Sequence, residues 1–252
     1  MKTESISRSA LVTGGTGAIG AAISRQLAQA GHRVIAVCLP ADRPQAEAVQ
    51  AGWQAEGLDI ALASFDASDF DDTAASILRL EARFDAIDIL VNCAGITRDA
   101  PLRRMTPEQW QAVLRVNLDS VFNTSRQVAD GMAQRGWGRI VNISSVNGQR
   151  GQFGQTNYSA SKAGVHGFTM ALALEVARKG VTVNTVAPGY IDSPMISAVP
   201  DAIRADILAG IPAGRYGQPA DVAAAVAFLC SEAAAYITGA QLPVNGGLYL
   251  SA

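Results

Sequence analysis

Short runs of β-branched and aliphatic residues alternate along the chain with longer Ala-rich segments. Strands are expected at 10–13, 33–38, 59–63, 87–92, 139–143, 181–186 and 241–244. Most of these runs are apolar at every position, the pattern of a strand covered on both faces. Between them apolar positions recur at helical spacing over 19–30, 43–55, 69–84, 157–179 and 221–231. Gly31 stops the first of these helices. Thr106-Pro107-Glu108-Gln109 supplies a capping threonine, a proline at the first helical position and a glutamine at the third, and predicts one helix running to about residue 134. Strand–helix alternation of this kind predicts an α/β fold: a doubly wound parallel sheet in three layers, α/β/α. No linker, low-complexity tract or internal repeat interrupts it, so residues 1–252 read as a single domain. Residues 1–8 read as a flexible N-terminus. Residues 190–216 carry few strand signals and read equally as a mobile lid or as a fixed helix packed over a crevice.

Composition narrows the partners. Twenty Lys+Arg against 22 Asp+Glu leave a net charge of −2, which argues against a nucleic-acid binder. With 49% hydrophobic and 17% charged residues, a disordered chain is excluded. Cys38, Cys93 and Cys230 make no C-x-x-C pair and the histidines are His32 and His166, so no metal site is expected. The opening residues are polar and have no apolar leader region. Even 163–177, the most apolar helical stretch, carries His166, Thr169 and Glu175. The expectation is a cytoplasmic protein with free thiols and no membrane partner.

The first strand runs into Thr13-Gly14-Gly15-Thr16-Gly17-Ala18-Ile19-Gly20 and a helix follows. Gly15-x-Gly17-x-x-Gly20 is the dinucleotide-binding spacing in its required strand–turn–helix context, which makes the fold Rossmann-like. Glycines let the backbone approach a pyrophosphate, and the helix N-terminus turns oriented N–H groups toward it. An acid that would grip a ribose 2′-hydroxyl is expected about 20 residues further on. Cys38, Leu39, Pro40 and Ala41 stand there instead, followed by Asp42 and Arg43. Arg43 either meets a 2′-phosphate, which would favour NADP(H), or simply opens the next helix.

Tyr158 and Lys162 are four apart at the start of a helix and share one face. In an arbitrary helix that spacing is a tyrosine packed on a lysine stem. Here the chain holds three lysines in all, and Ser145 ends a central strand 13 residues before Tyr158. Ligands of parallel sheets bind beyond the carboxyl ends of the strands, so Ser145 should face that crevice while Ser144 projects the other way. Hydride delivered to a ketone creates an alkoxide that must be stabilised and protonated. A serine hydroxyl suits the first task. A tyrosine suits the second if a neighbouring lysine cation lowers its pKa.

Together, the turn at Thr13–Gly20, Asn92-Cys93-Ala94-Gly95, Asn117, Ser145, Tyr158-x-x-x-Lys162 and Pro188-Gly189 resemble the short-chain dehydrogenase/reductases over about residues 9–250. The resemblance implies catalysis by Ser145, Tyr158 and Lys162, with Asn117 anchoring a water that relays protons from the lysine. It implies cofactor contacts from Gly14, Gly15, Thr16, Gly17, Ala18, Ile19, Gly20, Arg43, Asp66, Asn92, Cys93, Ala94, Gly95, Tyr158, Lys162, Pro188, Gly189, Ile191 and Ser193. The stretch 136–158, with 163–173 and 181–191, is similar to the branch of that family that serves polyhydroxyalkanoate synthesis. That likeness implies NADPH-dependent reduction of acetoacetyl-CoA to (R)-3-hydroxybutyryl-CoA by a homotetramer, with NADH as an alternative cofactor. It also implies substrate contacts at Asp99, Ser145, Gln152, Phe153, Gln155, Tyr158, Gly189 and Tyr190.

The sequence departs from the family pattern at four points. Ala18 replaces a glycine of the turn, Cys93 replaces an asparagine, Ser193 replaces a threonine, and Arg43 lies one position from the usual basic residue. A rival reading keeps the chemistry and changes the carrier to an acyl-carrier protein; Arg98, Arg103, Arg104, Arg150 and Arg215 could meet CoA phosphates or such an acidic carrier, or simply be solvated surface residues. A third is an inactive nucleotide-sensing module on the same fold, which would have lost the tyrosine or the lysine.

Overall fold

The computed structural model describes residues 7–197 and 199–250; most of the expected flexible N-terminus lies outside them. Seven strands appear at the expected places: β1 Ser9–Thr13, β2 Arg33–Cys38, β3 Ile60–Ser64, β4 Ile89–Asn92, β5 Gly138–Ile143, β6 Val181–Pro188 and β7 Gln241–Val244. All pair in parallel in the order β3-β2-β1-β4-β5-β6-β7. Strand order reverses between β1 and β4, and a crevice opens beyond their carboxyl ends.

The pleat sorts the strand residues onto two cores. Ala10 and Val12 of β1, Ala36 of β2, Val91 of β4 and Ile143 of β5 face one side, where Ile23, Leu27, Val222 and Val226 pack on them. Those four come from helices α1 (Ala18–Gln29) and α10 (Pro219–Cys230). Leu11, Ile35, Leu90 and Ile140 face the other side, against Ile77, Val128, Met132 and Ala173. Those come from α3 (Phe70–Phe84), α5 (Ser120–Arg135) and α7 (Thr156–Val176). Burial on both faces explains the unbroken apolar runs, and each fully buried aliphatic side chain contributes roughly 1.5–3 kcal/mol. The remaining helices are α2 (Arg43–Ala55), α4 (Pro107–Leu114), α6 (Asn147–Arg150), α8 (Pro194–Ser197) and α9 (Asp201–Ala209). Among the described residues no helix is long and apolar enough to cross a membrane.

The single helix expected from Thr106 to about residue 134 is not continuous. The Thr106–Gln109 capping box starts α4 as predicted. A π-helical turn then occupies Arg115–Asp119 before α5 begins. Ser120 N reaches back five residues to Arg115 O, while Ser120 Oγ donates to Val116 O at 2.6 Å. The wider turn swings Asn117 into the interior, where it is completely buried.

Segment 190–216 is a helical excursion with a closed base. Asp192 N donates to Gly217 O at 2.7 Å and Gly217 N to Tyr190 O at 3.0 Å. Tyr216 Oη donates to Arg204 O at 2.6 Å, which ties α9 to the end of the excursion.

Candidate active site

The glycine turn joins β1 to α1. Gly14 has φ 60°, a left-handed conformation natural to glycine. A Cβ on Gly15 would sit 2.7 Å from Val12 O and 2.8 Å from Ala36 Cα, and one on Gly20 would run into the Gly14 carbonyl. These two glycines let α1 lie against β1 and β2. Gly17 differs: a Cβ there would meet Gly14 O at 3.4 Å and nothing nearer. Gly17 and Ala18 are exposed, and no side chain caps α1. The first N–H groups of α1 therefore line an open, anion-accepting cradle, and the residues present fit a dinucleotide pyrophosphate.

The loop after β4 closes one wall. Thr13 Oγ1 accepts from Cys93 N at 3.1 Å and Ala94 N at 3.2 Å, which holds Ala94 and Gly95 beside the turn. Asn117 Oδ1 accepts from Ile96 N at 2.8 Å, and its Nδ2 donates to Ile96 O at 3.0 Å and to Ser161 Oγ at 3.2 Å. Asn92 points elsewhere. Its amide binds Asn142 Oδ1, Ser125 Oγ and Thr124 Oγ1 inside the protein, so its side chain braces β4 against β5 and α5 and leaves the main chain as the part of Asn92 that faces the crevice end of β4.

Ser145 follows the end of β5 and accepts from Asn147 N at 3.1 Å. The neighbouring Ser145 hydroxyl acts to lower the pKa of the Tyr158 phenol. Burial nevertheless outweighs it and holds Tyr158 above its ordinary value. Lys162 is buried, its Nζ lies 5.8 Å from the Tyr158 ring centroid, and it donates to Ile143 O at 2.9 Å. Desolvation brings its own pKa down to about 8. Ser144 turns away from Tyr158 to the main chain of α7, where its Oγ donates to Lys162 O at 2.8 Å.

Known proteins resemble this chain in sequence. The profile of a family described as "Enoyl-(Acyl carrier protein) reductase" matches residues 15–249. A protein of Allochromatium vinosum named "Acetoacetyl-CoA reductase" is 56% identical over 97% of this chain and 100% of its own. One of the same name from Cupriavidus necator is 51% identical over 96% and 98%. A 3-oxoacyl-acyl-carrier-protein reductase of Vibrio cholerae is 46% identical over 96% and 97%.

The chain belongs to the short-chain dehydrogenase/reductase family. It is therefore an oxidoreductase with a Rossmann-like fold that uses a nicotinamide cofactor. Its departures from the family pattern are explicable in place. Among the described residues, Asp85 alone of the non-glycines has positive φ, so Ala18 keeps an ordinary backbone. Burial pushes the Cys93 thiol up to about 11, which leaves it a small packing group and no nucleophile. Arg43 donates through Nη1 to Ser64 Oγ at 3.3 Å and through Nε to Glu47 Oε1 at 2.8 Å, so its guanidinium lies over the carboxyl end of β3. Asp66 accepts from the N and Oγ of Ser68 and fixes the turn that follows β3.

The mouth of this short-chain dehydrogenase/reductase site is a chain of amides. Asn147 Nδ2 donates to Gln155 Oε1 at 2.9 Å, and Gln155 Nε2 to Asp99 Oδ2 at 2.8 Å. Gln152 is exposed beside them and Phe153 presents 86% of its surface. Gly189 packs so tightly that a Cβ would lie 2.8 Å from Asn245 Cα; Pro188 before it ends β6, and Tyr190 and Ile191 follow. Arg215 pairs with Asp221 at 2.7 Å, a partly exposed ion pair like that of Arg43 with Glu47. The sequence reading missed His166, buried one turn beyond Lys162. The spacing of four was visible, but its partner Ser144 is 22 residues away in the chain.

Proposed function

We propose that the chain catalyses the NADPH-dependent reduction of acetoacetyl-CoA to (R)-3-hydroxybutyryl-CoA, with Tyr158 as proton donor. The observation that carries this reading is the grouping of Ser145 at the end of β5 with Tyr158 and Lys162 of α7, the Lys162 Nζ 5.8 Å from the Tyr158 ring centroid, on the same fold as an open glycine turn. Relatives named acetoacetyl-CoA reductase support the thioester and its carrier. When bound, the nicotinamide supplies the hydride. Ser145 Oγ and Tyr158 Oη hold the substrate oxygen where negative charge develops. Tyr158 gives that oxygen its proton, and the Lys162 cation steadies the phenolate left behind. Asn117 holds the Gly95 loop against Lys162. Its side-chain amide is taken up by Ile96 and Ser161, and Asn117 anchors the water that relays protons from the lysine through its main chain.

Gly14 to Gly20 hold the pyrophosphate, with Asp66, Ala94, Gly95, Pro188, Gly189, Ile191 and Ser193 completing the cofactor crevice. Arg43 takes the 2′-phosphate, which favours NADPH over NADH. Asp99, Gln152, Phe153, Gln155 and Tyr190 receive the acyl-CoA. A homotetramer accords with Phe122 of α5 and Met170 and Leu174 of α7, large apolar side chains left exposed.

Proton supply sets the pH dependence. Reduction needs Tyr158 as phenol and Lys162 as ammonium. Tyr158 lies above its ordinary 10.0 and stays protonated, whereas Lys162 loses its proton near 8. The kcat/KM for reduction should hold on the acid side and fall as pH rises through about 8. A profile flat from there to 10.0 would detach the lysine from the reaction.

The carrier is tested by kcat/KM for acetoacetyl-CoA against longer 3-oxoacyl groups on an acyl-carrier protein, each with NADPH and NADH. The expected order is acetoacetyl-CoA with NADPH first. Equal or better use of the carrier-protein substrates would remove the CoA assignment and favour the reaction named for the Vibrio cholerae relative.

A further inference from the structure

Ser144 stands between the end of β5 and Ser145, and three bonds hold it. Its N–H donates to Val186 O at 2.8 Å, its Oγ donates to Lys162 O at 2.8 Å, and the same Oγ lies 3.0 Å from His166 Nε2. A hydroxyl has one proton. Since a carbonyl can only accept, that proton goes to Lys162 O, and Ser144 Oγ must accept from His166. The imidazole is thereby fixed as the tautomer with its proton on Nε2. The opposite nitrogen agrees with this: Nδ1 is buried and has no partner among the described residues. Burial and the neighbouring Lys162 cation bring the ring down to about 4, so it is neutral at working pH.

Lys162, His166 and Thr169 form one polar stripe along α7. Lys162 Nζ binds Ile143 O, His166 binds Ser144, and Thr169 Oγ1 accepts from Asn142 Nδ2 at 2.9 Å. Three successive residues of β5 and its extension are thus stitched to three turns of one helix. Gly148 is jammed against the same place, since a Cβ there would meet Lys162 C at 2.8 Å. Ser145 leaves this seam at one end and Tyr158 lies one turn before it. The distance between the two reacting hydroxyls is therefore set by how firmly the end of β5 is held to α7.

We propose that His166 is a positioning residue: through the Ser144 hydroxyl it clamps the end of β5 to the Lys162 main chain and so fixes the separation of Ser145 and Tyr158. The proposal rests on the reading that these two hydroxyls hold the substrate oxygen. It assigns His166 no contact with substrate or cofactor and no proton transfer.

The test uses two neutral replacements of similar size. His166→Gln places an amide N–H near the position of Nε2, whereas His166→Asn is one carbon short. With acetoacetyl-CoA and NADPH, His166→Gln should stay within about threefold of parental kcat. His166→Asn should lose about thirtyfold in kcat with KM and NADPH affinity unchanged, as expected for a misplaced reacting group. In a Ser144→Ala background, with no hydroxyl to hold, the two should become equal. Ser144→Ala alone should lower kcat as His166→Asn does, which keeps the test available if His166→Asn fails to fold. The clamp is overturned if His166→Asn matches His166→Gln, if the gap between them persists in Ser144→Ala, or if Ser144→Ala keeps parental kcat. Tyr158→Phe run in the same assay separates the two levels. If it turns over normally, the reading of the site falls; if it is inactive while the His166 variants are indistinguishable, the clamp alone falls.

Discussion

Tyr158→Phe is expected to lose about 10³-fold in kcat for acetoacetyl-CoA reduction, within the range a positioned general acid contributes. The substitution is small in every other respect. It keeps the ring that lies 5.8 Å from Lys162 Nζ and removes the oxygen that faces Ser145. The main-chain bonds that set the start of α7 also survive, including Tyr158 N to Asn157 Oδ1 at 2.8 Å. Melting temperature and NADPH affinity should therefore match the parent while turnover collapses. A variant with full turnover would show that another group protonates the product. A variant that also loses NADPH would show that the hydroxyl binds the cofactor and would leave its acid role without support.

Gly20→Ala should be the most damaging change in the cofactor turn. The added methyl would strike the Gly14 carbonyl oxygen and lie 2.8 Å from Gly14 C and 2.9 Å from Gly15 Cα. All three are backbone, with no flexible side chain to give way. Overpacking of this kind costs about 1–3 kcal/mol, and each kcal/mol lowers Tm by about 2–4 °C in a chain of this size. Relief requires α1 to move off β1, which also carries its N–H groups away from the pyrophosphate. NADPH affinity should fall by at least about tenfold, the equivalent of 1.4 kcal/mol. Gly52→Ala is the internal control. That glycine lies inside α2 with nothing within 4 Å of the new Cβ, so the change should leave binding intact and stabilise by up to about 1 kcal/mol. Equal Tm and affinity in Gly20→Ala and the parent would refute the close packing assigned to the turn.

The sheet was legible because burial on both faces writes itself into sequence as unbroken apolar runs. All seven expected strands form, shifted by a residue or two at their ends. The glycine turn was legible for the same kind of reason, since close backbone approach admits few residue types. The interruption at Arg115–Asp119 was not. A π turn changes helical phase by one residue, and the apolar pattern on either side still reads as one helix. Helices α8 and α9 fall in 190–216, where a packed helix was one of two open readings and no boundaries could be assigned. No residue of α9 is buried, so no core-facing stripe marks it.

Within the site, residue types announced Ser145, Tyr158 and Lys162, but their electrostatics depended on burial. Desolvation is the largest influence on both groups and shifts them in opposite directions. Asn92 was assigned to the cofactor by motif, yet its amide braces the interior. Only the fold brings Asn142, Ser125 and Thr124 to it.

The central claim is that this site reduces a carbonyl. The family profile that matches the chain is described by an enoyl reduction, whereas the full-length relatives are named for reductions of 3-oxo groups. The most direct measurement is NADPH oxidation with acetoacetyl-CoA and, separately, with crotonyl-CoA, followed by identification of the products. A carbonyl oxygen held between Ser145 and Tyr158 predicts one NADPH consumed per (R)-3-hydroxybutyryl-CoA formed, and no turnover of crotonyl-CoA. Formation of butyryl-CoA from crotonyl-CoA, with acetoacetyl-CoA left unchanged, would contradict the account.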